Sequence, residues 1–92
     1  MSDPTSLPST ADEHALHHRL LAADPVAASD LAVAYLGYLV HYLQDRNPAI
    51  DDEFCQTAAE DAIMALSKRP QSYDPARATL IAYLRLSAQG DL

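Results

Sequence analysis

Three histidines, His14, His17 and His18, fall close together near the start of the chain. His14 and His18 stand four residues apart, the step at which two imidazoles on one helix face can grip zinc. Zinc needs further ligands, and no cysteine or well-spaced carboxylate accompanies them, so a solvated helix face is expected instead. His41 is expected at the edge of a helical bundle. The acidic run Asp51, Asp52 and Glu53 invites a general acid–base reading. Acidic residues at a helix start also stabilise the positive end of the helix dipole, and that role is the expected one. Serine, histidine and aspartate all occur, but no Gly-x-Ser-x-Gly turn exposes a nucleophile. No glycine-rich loop is present to cradle a phosphate. These residues predict no enzyme, no metal and no cofactor.

The elements that must position any site are those of one domain, since 92 residues are too few for two. With 49% hydrophobic residues, abundant Ala and Leu and only two glycines, helices are favoured over strands. The formal charge is −7, with only six Lys and Arg in all. That balance argues against a chain that wraps duplex DNA by itself, because phosphate binding needs clustered cations. It suits docking on a basic protein surface. Cys55 is the single cysteine, which excludes an internal disulfide, and its place in an apolar pattern predicts burial. No apolar run approaches the roughly 20 residues that span a bilayer. Nor does the chain open on a basic-then-apolar signal. A cytoplasmic protein without a membrane partner is expected.

Residues 1–10, with two prolines and three serines in their first nine positions, read as a disordered leader, and residues 11–92 as the helical domain. Thr10 and Glu13 have the spacing of a capping box, and Leu16, Leu20 and Leu21 continue a helix from about Ala11 to Ala23. Asp24-Pro25 punctuates the chain and opens a second helix to Arg46, with Asp24 as cap. Its stripe is Leu31, Tyr35, Tyr38, Leu39, Tyr42 and Leu43, widened by Leu36 and Val40. Asn47-Pro48 ends it. A third helix, Asp52 to Lys68, should bury Phe54, Ala58, Ala62 and Leu66, flanked by Cys55, Ile63 and Met64. Arg69 to Ala78 reads as a polar loop. A last helix, about Thr79 to Gln89, presents Leu80, Tyr83, Leu84 and Ser87. The expected fold is all-α, a compact four-helix bundle.

Three stretches in this order resemble the second conserved region of bacterial sigma factors, especially the extracytoplasmic-function class. LHHRLLAADPVAASDLAVAYLGYLVHYL (Leu16 to Leu43) is similar to the family's opening helix, break and aromatic-rich second helix. AAEDAIMAL (Ala58 to Leu66) resembles the helix with which the family binds the polymerase clamp. YDPARATLIAYLRLSAQGDL (Tyr73 to Leu92) is similar to the family's F-D-P-x-R-G-x-L stretch. Departures are Glu60 where Gln is frequent, Ser67 where a large aromatic is common, Ala78 for Gly and Tyr83 for Trp. The resemblance implies a fragment that stops before the family's basic continuation and second DNA-binding domain.

The resemblance also implies a function and its sites. The domain would bind the clamp coiled coil of the RNA polymerase core through Glu60, Asp61, Ile63 and Met64. The two acids would share a solvent face, and the apolar pair would supply affinity. The loop would recognise the melted −10 promoter element, capturing an extruded base. Gln71, Ser72 and Asp74 offer hydrogen bonds, and Arg69, Arg77 and Arg85 phosphate contacts. Tyr73 is either a stacking face or a plug for the core. Promoter DNA binding is expected to be weak for this fragment, and an anti-sigma factor is an implied further partner. The alternative is a stand-alone helical interaction or regulatory module that does not bind DNA.

Overall fold

A computed structural model describes residues 7–90 and 92. The described residues form four α-helices and no strand: α1 (Thr10–Leu21), α2 (Ala27–Arg46), α3 (Asp52–Lys68) and α4 (Leu80–Gly90), with a 3-10 turn at Pro70–Ser72. The all-α expectation is met. Helices α2 and α3 share the most extensive packing, α4 lies against both, and α1 packs on α2 and on the 3-10 turn. The radius of gyration is 12.7 Å. A compact chain of this length is expected near 12 Å.

The start of the domain differs from the expected capping box. Ser9 is the N-cap, its Oγ accepting the Asp12 amide at 3.2 Å, and Thr10 is already helical. Glu13 is free to leave the cap because Ser9 has taken that role. The expected leader is corrected for its last residues: Leu7 is half-buried against the core. Its remaining residues, 1–6, lie outside the described ones.

Helix α1 ends two residues earlier than expected. The Ala23 amide bonds to the Leu20 carbonyl and the Asp24 amide to the Arg19 carbonyl, at 3.1 and 3.0 Å. This is the closure that places a left-handed residue just past a helix, and Ala23 has φ 60°. Asp24 then accepts the Val26 amide at 2.9 Å and the Arg19 guanidinium at 2.9 Å, while Arg19 reaches Asp30 at 2.7 Å. The Val26 amide and the Arg19 cation hold the Asp24 carboxyl below its ordinary range. Pro25 and Val26 are spent on this turn, so α2 begins at Ala27 rather than at Pro25.

Leu31, Tyr35, Leu39 and Leu43 of α2 are fully buried, at four-residue steps. Tyr38 and Tyr42, expected in the same stripe, are half-buried on its flank. Asn47 stops the helix and pairs its side-chain amide with that of Gln89, both bonds at 3.3 Å, tying the ends of α2 and α4 together. In α3 the inward residues are Cys55, Ala58, Ala59, Ala62, Ile63 and Leu66. Phe54 was expected inside and is 62% exposed. The burial stripe runs through Cys55, one residue later, and one step turns a helical side chain by about 100°. The alanines bring the α2 and α3 backbones close.

Candidate nucleic-acid and partner interfaces

Glu60 and Asp61 are both exposed on α3, and neither makes an ion pair among the described residues. Gln56 donates to Glu60 Oε1 at 2.8 Å, a one-turn hydrogen bond along the helix surface. The two acids do not share one face. Glu60 borders a groove of about 350 Å³ between α2 and α3, whose walls include Ala28, Ala32 and Leu36. Asp61 opens instead on two other hollows, one with Phe54 and Thr57, the other with Lys68 and Arg69. Met64 stands between these surfaces, 53% exposed, and lines both the groove and the Lys68–Arg69 hollow. Ile63, expected as a contact residue, is buried and forms the floor of the groove. Three of the four expected docking residues are therefore outward-facing.

The hollow beside Lys68 and Arg69 joins this surface to the loop. Arg69, Gln71, Ser72, Asp74 and Arg77 are all exposed there, as the loop reading needs. Asp74 Oδ1 accepts the Ala76 amide at 2.9 Å and its carbonyl accepts the Arg77 amide at 3.0 Å, a compact Asx turn. Tyr73 settles the open alternative as a plug: it is 3% exposed, with its hydroxyl donating to the Ala78 carbonyl at 2.8 Å. Burial, aided by the Glu13 and Asp74 carboxylates, pushes its phenol up from the ordinary value.

Arg85 stands apart from this set. Its guanidinium lies over the rings of Tyr38 and Tyr42, at 4.9 and 4.8 Å from their centroids. Arg46 reaches the Tyr42 ring at 5.2 Å. Cation–π attraction holds Arg85 on the α2–α4 face and accounts for the half-buried tyrosines. It is not one of the loop cations.

Two further residues of α1 belong to the site. Glu13 and His17 are the buried polar side chains of the described structure, 7% and 6% exposed. Glu13 Oε1 accepts the Leu80 amide at 2.9 Å, capping α4 from outside, while Thr79 Oγ1 accepts the Ala82 amide at 3.3 Å. His17 Nε2 meets the Pro70 carbonyl at 2.8 Å, and its ring packs edge-on against Tyr73 at 4.9 Å. His17 is thus not part of a solvated histidine face, though His14 and His18 are exposed. The signal was available: Glu13 and His17 share the step of Leu16 and Leu20, so they sit on the apolar face.

Among the described residues no three His, Cys, Asp or Glu gather as a metal cluster. No described helix is long and apolar enough to cross a membrane. No protein-family model, curated protein or solved structure matches the chain.

Proposed function

We propose that this chain is a transcription-initiation domain of the sigma region-two type. It docks on the clamp helices of RNA polymerase and recognises a melted −10 promoter strand, in the cytoplasm and without covalent chemistry. The observation that carries the reading is the adjacency of two surfaces. An exposed acidic turn beside an apolar groove meets, across one hollow, a loop whose polar and cationic side chains face outward.

Each surface has its own physics. Glu60 and Asp61 would meet basic side chains, steering the encounter and setting register. An apolar side chain seated over Ile63 and against Met64 would contribute most of the affinity. The loop is anchored by Tyr73, so it can offer Arg69, Gln71, Ser72 and Arg77 to a single strand with little ordering cost. An excess of seven negative charges disfavours nonspecific binding to a duplex, and less so to the lower charge density of a single strand.

Binding to the isolated clamp coiled coil, measured by calorimetry, tests the docking. Asp61→Arg should weaken it about tenfold or more, a loss of roughly 1.4 kcal/mol. Unchanged affinity in both Asp61→Arg and Glu60→Arg would overturn this assignment. The second reading, a stand-alone interaction module, is favoured by the exposure of Val33 at 87% and Phe54 at 62%. It would be preferred if the coiled coil and single-stranded DNA both fail to bind.

A further inference from the structure

We infer that α1 is the clamp of the reading loop, with Glu13 and His17 as positioning residues for the segment Arg69–Thr79; its functional half rests on the reading just proposed. The segment has little regular structure of its own: one 3-10 turn, then an Asx turn, then the start of α4. Three groups fix it from inside, and two of them belong to α1. His17 holds the Pro70 carbonyl at the loop's entrance, and Glu13 holds the Leu80 amide at its exit. Between those points the Tyr73 ring packs on His17 and lies 5.5 Å from the Tyr83 ring. The two ends of the loop are therefore pinned to residues one helical turn apart on a single rigid element.

The chemistry favours a specific role over generic packing. A carboxylate buried to 7% exposure is costly unless its charge is met. Here it faces the N-terminus of α4, where unpaired amides and the helix dipole favour an anion. An apolar residue at position 13 would bury as well but could not accept the Leu80 amide. Likewise His17 presents a ring nitrogen at 2.8 Å to the Pro70 carbonyl, whose other partner is the longer bond from the Tyr73 amide at 3.4 Å, and an aliphatic side chain could not make that contact. Neither side chain is exposed enough to touch a bound strand. Their action runs through the loop backbone, and so does the display of Arg69, Gln71, Ser72 and Arg77.

Amide hydrogen exchange, resolved by residue, tests the clamp in the chain as it stands. Glu13→Ala should speed exchange at Leu80, Tyr73 and Arg77 by about tenfold or more, the scale of one lost hydrogen bond to a charged group. Glu13→Gln keeps an accepting oxygen and should restore most of that protection. His17→Phe keeps a ring against Tyr73 and should loosen the loop's entrance, Ser72 and Tyr73, more than Leu80. Equal acceleration throughout α2 and α3 would mean general destabilisation and would overturn the clamp, as would an unmoved loop. The functional half is read by anisotropy with a fluorescein-labelled single-stranded deoxyoligonucleotide at low salt. Binding should weaken about tenfold in Glu13→Ala and recover in Glu13→Gln. Unchanged binding despite an opened loop would overturn the positioning role. If the parent chain itself fails to bind, the loop reading falls, while the exchange profile still decides the clamp.

Discussion

Replacing Tyr35 by Phe should stabilise this domain. Tyr35 is 1% exposed in the middle of α2, and its hydroxyl has no hydrogen-bond partner among the described residues. A buried, unpaired hydroxyl costs about 1–3 kcal/mol in lost hydration, whereas the ring itself contributes its full packing. Phe keeps the ring and removes the polar atom. The cavity left by one oxygen offsets part of the gain, so about 1 kcal/mol is the expected net. For a domain of this size that raises Tm by roughly 4–8 °C. Thermal and urea melts followed by circular dichroism would measure it, with an unchanged urea slope showing that only stability moved. The same substitution has a signature in pH. Burial pushes the Tyr35 phenol well above its ordinary value, and the Glu13 carboxylate adds to the effect. Because the folded phenol holds its proton more tightly, this stability is fully present below about pH 10, where unfolded tyrosine ionises. It is lost as pH rises through the folded value. Tyr35→Phe should therefore flatten the alkaline limb of the stability curve, leaving the share of Tyr73. A Tm lowered by several degrees would refute the reasoning by showing that the hydroxyl is satisfied in the fold, and an unaltered alkaline limb would refute it by showing that the phenol is not held above its ordinary value.

Ala23→Gly should also stabilise. Ala23 sits at φ 60°, where a side chain costs about 1–2 kcal/mol, and glycine's greater freedom when unfolded returns part of that gain. A net increase of about 0.5–1 kcal/mol is expected in urea titration. Phe54→Ser should alter stability by less than about 0.5 kcal/mol, because the ring is 62% exposed.

Helical period and punctuation made much of the fold legible. The bounds of α3 are those expected, and Asn47-Pro48 marks the end of α2. Local pattern failed where a partner far along the chain decided the outcome. Thr10 and Glu13 have faultless capping-box spacing, yet Glu13 is claimed by Leu80, 67 residues away. His17 was grouped with its exposed neighbours, and its partner Pro70 lies 53 residues on. The expectation for Phe54 followed hydrophobicity, whereas packing chose the smaller Cys55 one position on. The resemblance groups Arg85 with the loop cations, and the tyrosines of α2 hold it elsewhere. At the candidate site, periodicity placed Glu60 and Asp61 outward and Met64 on the flank of the buried stripe, but it could not show which hollows they border.

The attachment of α1 to the far end of the chain has a kinetic side. The α2–α3 pair joins neighbours across a five-residue link and meets a small loop-closure cost. Glu13 and His17 cannot find their partners until residues 70 to 80 have closed a much longer loop, so they enter the fold late. By that comparison the segment that displays the polar side chains gains its shape after the α2–α3 pair. It is also the first to lose it under partial unfolding, while the helix pair with the acidic turn persists. Conditions that strain this protein would cost it the ordered Arg69–Thr79 segment before the α2–α3 pair.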